Sequence, residues 1–123
     1  YVDAAGLDTF RRTLLELPAV CIDHLGLSRA GLPVLRSLVE RGVRVKATGF
    51  GRVDFPVEEA LRELYAANPE ALLFGSDLPS TRAPRPFSDE DINRVREAVG
   101  DAGARAVLCD NALAFYRVAA NHA

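Results

Sequence analysis

The chain has 123 residues, of which 49% are hydrophobic and 26% are charged, with a mean hydropathy of +0.03. This composition is typical of a globular domain and excludes a disordered chain, which would have fewer apolar residues and a larger net charge. A net charge of -2 provides no basic surface for nucleic acid or for an anionic membrane. We therefore expect no nucleic-acid partner and no membrane partner, whereas small polar substrates are compatible with this composition.

The start of the chain and its two cysteines add two expectations. The chain begins Tyr1-Val2-Asp3 and contains no methionine, which is typical of a segment of a longer polypeptide. Cys21 and Cys109 lie far apart, with no Cys-x-x-Cys pattern and no histidine-rich companion. We predict that both are buried free thiols and that the protein is cytoplasmic.

The N-terminal third predicts a helix followed by a strand. Phe10, Leu14 and Leu17 recur at helical spacing, and Pro18 closes that segment. The apolar run 19–22 is then continuous rather than alternating. A run of this kind predicts a strand that is buried on both faces, and such strands are usually parallel to their neighbours.

The middle of the chain continues the alternation. A second helix is predicted by Pro33 in its first turn, by Gly42 as its stop, and by apolar residues at helical spacing, namely Leu32, Leu35, Leu38 and Val39. The β-branched run 43–48 predicts a second strand, which is followed by a loop over 49–52. A third helix starts at Asp54 and Pro56, carries Leu61 and Leu64 inward, and ends before Asn68-Pro69.

The C-terminal part predicts one more strand and two helical segments. The apolar run 71–74 is a strand, and a polar, proline-rich loop runs from it to Pro86. Ser88 and Asp91 resemble a capping box before a fourth helix that ends at Gly100. The last segment, with Val107, Leu108, Leu113 and Tyr116, is predicted to be helical with an interruption around Asp110-Asn111.

The predicted strands end at His24, Thr48 and Asp77, so successive ends are about 24 and 29 residues apart. A TIM barrel of about 250 residues has eight units of roughly 31 residues, and these spacings fit successive units. They fit a doubly wound sheet as well, so the spacing leaves both architectures open. Both place functional residues at the carboxyl ends of the strands.

Each predicted strand becomes polar or glycine-rich at its carboxyl end, which gives Asp23-His24, Thr48-Gly49 and Ser76-Asp77. Parallel strands would bring these ends to one rim. A histidine and an aspartate on one rim can bind a metal, polarise a carbonyl group or move a proton to or from water. Without such a rim, His24 would be a core histidine and Asp77 a turn residue.

Five charged residues near these strand ends are expected to have different roles. Arg52 and Arg82 are candidates for binding a substrate carboxylate, because a guanidinium can hold a carboxylate through two hydrogen bonds. Arg85 is expected to be a solvated surface residue. Asp23 is expected to be structural, since strand alternation turns it away from His24. Lys46 is predicted to face the site or to form one end of an ion pair.

Four motifs resemble the amidohydrolase superfamily when they are taken together: 20–26, 45–52, 72–79 and 110–112. They look most like its branch of TIM-barrel hydrolases that includes 2-pyrone-4,6-dicarboxylate lactonase and sugar lactonases. The resemblance covers nearly the whole chain but only the C-terminal half of such a barrel. It implies an α/β fold with parallel strands alternating with helices, in which residues 1–123 supply about strands 5 to 8 of a TIM (β/α)8 barrel, with Tyr1-Val2 ending the fifth.

The resemblance also implies roles for site residues. Asp77 would be the general base toward the hydrolytic water and a metal ligand where metal is present. His24 would hold or polarise the substrate carbonyl, and Arg52, with Arg82 and Thr48, would bind the substrate. Ser80 stands where many relatives have histidine. The family's first-strand His-x-His lies in the N-terminal half that this chain lacks, so a divalent metal (Zn or Mn) and a metal-independent mechanism both stay open.

The sequence therefore predicts a hydrolase of a lactone or similar cyclic ester, with an anionic or lactone small molecule as substrate. The isolated fragment is predicted to be inactive, because half of the rim is missing. The alternative is a small doubly wound α/β binding domain whose loop from Gly49 to Arg52 holds an anion without catalysis.

Overall fold

A computed structural model of the chain describes residues 6–117. These residues contain three strands, β1 (Cys21–Ile22), β2 (Arg44–Ala47) and β3 (Leu72–Phe74). A 3-10 turn over Gly6–Phe10 leads into the first of five α-helices within 6–117, which are α1 (Arg11–Glu16), α2 (Leu32–Glu40), α3 (Val57–Ala67), α4 (Glu90–Arg105) and α5 (Asn111–Phe115). Tyr1-Val2, predicted as the end of a fifth barrel strand, lies outside the described residues.

The three strands form one parallel sheet in the order β1-β2-β3. Val45 of β2 pairs with Ile22 on one side and with Leu72 on the other. Right-handed crossovers that all advance in the same direction place their helices on one face of the sheet. In agreement with this, α2 packs against α3 and α3 packs against α4. Within residues 6–117 the strand order has no switch point of the kind a doubly wound sheet needs, and it is consistent with part of a barrel.

The core lies between the sheet and α2 and α3. In β2, Val45 and Ala47 are fully buried, whereas Arg44 and Lys46 lie on the other face and are half-buried. The helices contribute the residues predicted for their inner faces, namely Leu35, Leu38, Val39, Leu61 and Leu64. Burying one such side chain stabilises the fold by about 1.5–3 kcal/mol, so these helices are fixed on the sheet by packing.

Two predictions about burial are wrong. Cys21 and Ile22 are only half-buried, because β1 is an edge strand that pairs with β2 alone among the described residues. Cys109 is exposed. It lies in a π-helical turn, Ala106–Asp110, in which Val107 takes the buried position.

The C-terminal helices differ from their prediction at one point. Asp110 and Asn111 both have right-handed helical backbone angles, so the predicted interruption there is wrong and the π turn joins α4 to α5 without a break. The break falls at Gly100 instead, where the prediction ended the fourth helix and where φ is 77° and ψ is 171°.

The predicted capping box at the start of α4 is found in part, because the helix has Asp89 as its N-cap and the hydroxyl of Ser88 accepts from Glu90 rather than from Asp91. The amide of Glu90 donates to Oγ of Ser88 at 3.3 Å, and the amide of Ser88 donates to Oδ2 of Asp91 at 3.3 Å. Two backbone donors at the helix start are thereby satisfied. The carboxylate of Asp91 is buried, and Arg85 pairs with it at 2.9 Å.

Candidate active site

His24 lies just beyond the carboxyl end of β1, in a tight turn. His24 and Leu25 both have left-handed backbone angles, with φ of 48° and 52°. Such angles cost non-glycine residues about 1 kcal/mol or more each, so the surrounding structure has to enforce them. Leu25 is completely buried, and its packing in the core holds the turn that presents the imidazole of His24.

Thr48 directly follows β2 and lies beside this imidazole. Its Oγ1 lies 2.8 Å from Nδ1 of His24, and the residue is only 8% exposed. Thr48 was predicted to bind substrate, and the structure places its hydroxyl on the histidine. Gly49 follows with φ of 58°, and a Cβ there would lie 2.7 Å from Nδ1 of His24 and 3.0 Å from Cδ of Arg52. Glycine is required here because the backbone passes directly against both side chains.

Asp77 lies beyond the carboxyl end of β3 and is bound by Arg52. Nε of Arg52 donates to Oδ2 of Asp77 at 2.6 Å, and Nη2 of Arg52 donates to the carbonyl oxygen of Thr81 at 2.9 Å. The arginine and the aspartate are each about one-fifth exposed. Arg52 was predicted to bind a substrate anion, and in the structure two of its nitrogens already hold the strand-end aspartate and the loop behind it.

His24 and Asp77 face each other across a short gap. Nε2 of His24 lies 3.9 Å from Oδ1 of Asp77. This separation is too long for a direct hydrogen bond, but a single oxygen atom can lie about 2.8 Å from both atoms. The third strand-end residue, Thr48, holds the other nitrogen of the same imidazole. The sheet thus brings together His24, Thr48, Arg52 and Asp77, all of which the sequence singled out.

A cavity of about 330 Å³ opens beside this gap, and it is lined by His24, Leu27, Arg52, Arg82 and Pro84. Arg82 is exposed. Within residues 6–117 its guanidinium makes no hydrogen bond and no ion pair, so its donors are available to an anion in the cavity.

Three other charged residues lie away from the cavity. Arg85 is held by Asp91 and is not solely a solvated surface residue. Nζ of Lys46 lies 3.2 Å from Oδ1 of Asp23, which confirms the ion pair predicted for Lys46. The hydrogen bond to Asp23 raises the pKa of Lys46 above its ordinary value.

Sequence reasoning missed the supporting role of Ser80. This residue is 8% exposed, its Oγ donates to the carbonyl oxygen of Asp77 at 3.2 Å, and the amide of Phe87 donates to that Oγ at 3.2 Å. Ser80 therefore fixes the backbone of Asp77 to the far end of the loop. The sequence carried only one signal for it, a serine three residues after the strand-end aspartate.

The parallel strands, with polar residues at their carboxyl ends, agree with the family that the sequence resembles. A family model described as Amidohydrolase matches residues 5–118. The chain belongs to the amidohydrolase family. Amidohydrolases are hydrolases built on a TIM barrel, and the parallel β/α order found here is consistent with part of that barrel. Comparisons with curated proteins and with solved structures each found no significant match.

Amidohydrolases usually use divalent metals, so a metal site would need ligand side chains of this chain that meet at one point. Protein zinc sites use at least three protein ligands. Residues 6–117 contain no group of three histidine, cysteine or acidic side chains placed to hold an ion. At the strand ends only Nε2 of His24 and Oδ1 of Asp77 are directed at a shared point, because Arg52 occupies Oδ2. These two donors alone do not make a metal site.

The lengths and hydropathies of the helices bear on whether they could cross a membrane. None of the helices between residues 6 and 117 is both long and apolar enough to span a lipid bilayer.

Proposed function

We propose that this protein hydrolyses a lactone or a similar cyclic ester, with Asp77 as the general base toward water. The observation that supports the proposal is the pair formed by Nε2 of His24 and Oδ1 of Asp77, which face each other across 3.9 Å beside the cavity. A histidine and a carboxylate on either side of one oxygen position are suited to activating water and polarising a carbonyl group.

In the proposed reaction, water binds in the gap between the two side chains. Oδ1 of Asp77 accepts a proton as the water oxygen bonds to the carbonyl carbon. His24 donates a hydrogen bond to the carbonyl oxygen, which becomes negative in the tetrahedral intermediate. The ring C–O bond then breaks, and the proton held by Asp77 passes to the departing oxygen. Water and lactone are thereby converted into a hydroxy acid, and both side chains return to their starting states.

The arginines determine which substrates fit this proposal. Arg82 has no partner among residues 6–117 and lines the cavity, so it is the first residue that we assign to a substrate carboxylate. Arg52 contributes mainly by keeping Oδ2 of Asp77 occupied, which leaves Oδ1 for the water. The proposed substrate is accordingly an anionic lactone rather than a neutral one.

We also propose that residues 1–123 supply about strands 5 to 8 of the barrel, and that an N-terminal half completes the rim. The parallel order β1-β2-β3 and the helices on one face support this placement. On this proposal, residues 1–123 alone do not turn over lactones, because half of the side chains around the substrate are missing.

The decisive experiment is Asp77→Asn in a polypeptide that carries the complete barrel. General-base catalysis contributes about 10²–10⁴-fold, so kcat on a panel of carboxylated lactones should fall by about 10³-fold. Asp77→Asn also loses the ion pair with Arg52, so circular dichroism at the assay temperature is used to check that the variant is folded. Asp101→Asn is the matched control, because Asp101 is exposed on α4. Turnover by Asp77→Asn at the rate of the control would contradict the proposal.

A further inference from the structure

We infer that Thr48 is a positioning residue that fixes His24 in the neutral tautomer whose proton is on Nε2. The role in catalysis rests on the proposed function, whereas the tautomer is a property of the folded chain alone. The inference assigns His24 as a hydrogen-bond donor toward the cavity.

The hydrogen bond between Thr48 and His24 satisfies both partners in only one direction. Oγ1 of Thr48 lies 2.8 Å from Nδ1 of His24, and one of these two atoms must donate. Within residues 6–117, Nδ1 is the only hydrogen-bond partner of this hydroxyl. If Nδ1 carried the proton, the hydroxyl would accept, and its own hydrogen would have no acceptor at a position that is 8% exposed. If the hydroxyl donates, Nδ1 is bare and no buried donor is left unpaired.

The side chains of Thr48 and His24 are also held in place by close packing. A Cβ at Gly75 would lie 2.9 Å from Cγ2 of Thr48, and a Cβ at Gly49 would lie 2.7 Å from Nδ1 of His24. The backbones of two loops thus enclose the threonine methyl group and the imidazole edge. This packing opposes a turn of the ring that would put Cδ2 in the place of Nδ1, so the hydroxyl consistently meets Nδ1.

The hydrogen bond from Thr48 determines that Nε2 of His24 carries the proton. With Nδ1 accepting from Thr48, Nε2 carries the proton and directs it toward the gap beside Oδ1 of Asp77. That arrangement suits donation to a carbonyl oxygen that becomes negative. A histidine that binds a metal through Nε2 needs the opposite tautomer, in which Nδ1 donates to a neighbouring acceptor. The two roles of His24 therefore predict opposite protonation of Nδ1.

The test is a long-range ¹H–¹⁵N spectrum of the chain labelled with ¹⁵N-histidine, recorded at a pH where the ring is neutral. The chain has two histidines, so His122→Gln leaves His24 as the only ring in the spectrum. We expect an unprotonated Nδ1 and a protonated Nε2. A protonated Nδ1 in this spectrum would overturn the inference without the need for any other variant.

Two substitutions then test the role of Thr48. Thr48→Val removes the hydroxyl at nearly constant volume and should shift His24 toward the tautomer mixture of free N-acetylhistidine amide under the same conditions. Thr48→Ser keeps the hydroxyl and should retain the wild-type spectrum. If Thr48→Val has the wild-type spectrum, or if Thr48→Ser has lost it, Thr48 does not select the tautomer.

Kinetics connect the tautomer to catalysis in a polypeptide with the complete barrel. Thr48→Val should lower kcat/KM by about tenfold, and Thr48→Ser should restore it to within about threefold of wild type. Unchanged kcat/KM in Thr48→Val would overturn the positioning role. Failure of the proposed function looks different, because Asp77→Asn would then retain turnover while the wild-type spectrum still shows a protonated Nε2.

Discussion

Nε of Arg52 donates a 2.6 Å hydrogen bond to Oδ2 of Asp77, and this contact joins the loop after β2 to the carboxyl end of β3. Charge-assisted hydrogen bonds of this length are among the stronger polar contacts in proteins. The bond also separates the two oxygens of the carboxylate, since Oδ2 is engaged and Oδ1 faces His24. One arginine thus both supports the fold of the rim and orients the proposed base.

The first prediction is that Arg52→Gln destabilises the fold by about 1–3 kcal/mol. The substitution leaves a partly buried carboxylate without its cation, a cost that lies between the values for exposed and for fully buried ion pairs. It also removes the hydrogen bond to the carbonyl oxygen of Thr81. Urea unfolding followed by circular dichroism measures the change in the free energy of unfolding.

The matched control for Arg52→Gln is Arg12→Gln. Arg12 and Glu16 form a helical ion pair in which both side chains are mostly exposed, so its loss should change the free energy of unfolding by less than about 0.5 kcal/mol. Equal effects of the two substitutions would show that the contact between Arg52 and Asp77 adds no stability beyond that of a surface ion pair.

The second prediction is that Gly49→Ala destabilises the protein more than Gly42→Ala does. Both glycines have positive φ, 58° and 98°, and both substitutions therefore carry a backbone cost. At Gly42 a Cβ meets nothing within 4 Å, whereas at Gly49 it would overlap His24 and crowd Arg52. Crowding of this kind costs about 1–3 kcal/mol, which is the expected difference between the two variants in urea unfolding. Gly49→Ala should also shift the ring resonances of His24, and equal unfolding curves would argue against the close packing at Gly49.

The third prediction concerns the two thiols. Burial raises the pKa of Cys21 to about 11, against a smaller opposing effect of Lys46, so at pH 8 only about 10⁻³ of this thiol is ionised. Because the thiolate is the nucleophile, iodoacetamide should alkylate exposed Cys109 at least tenfold faster than Cys21, as followed by mass spectrometry. Denaturation in urea should bring the two rates together. Equal rates in the folded protein would show that Cys21 is open to solvent.

The sequence predicted those parts of the fold that depend on local patterns. The inner faces of α2 and α3, the contact between Ser88 and Asp91 and the carboxyl ends of the strands follow from periodicity and from residues that start or stop helices. The degree of burial of β1 could not be predicted from its sequence pattern. A short apolar run looks the same whether its strand has two neighbours or one, and β1 has one among the described residues.

The candidate site was predictable as a set of residues but not as a set of contacts. Strand ends in a parallel sheet meet at one rim, which is why His24, Thr48 and Asp77 could be grouped. Which partner each side chain takes depends on loop backbones that no residue pattern specified. The sequence therefore assigned Arg52 and Thr48 to a substrate, whereas the structure places Arg52 on Asp77 and Thr48 on His24.

The loops that follow β2 and β3 lie against each other without space for a side chain between them. A Cβ at Gly51 would overlap the carbonyl oxygen of Arg85, and the ring of Phe74 packs against Phe50 from one loop and Phe87 from the other. An insertion in either loop would therefore displace the other. Engineering of a new specificity in this protein would have to exchange the two loops together, since a loop transplanted alone would meet the wrong neighbour.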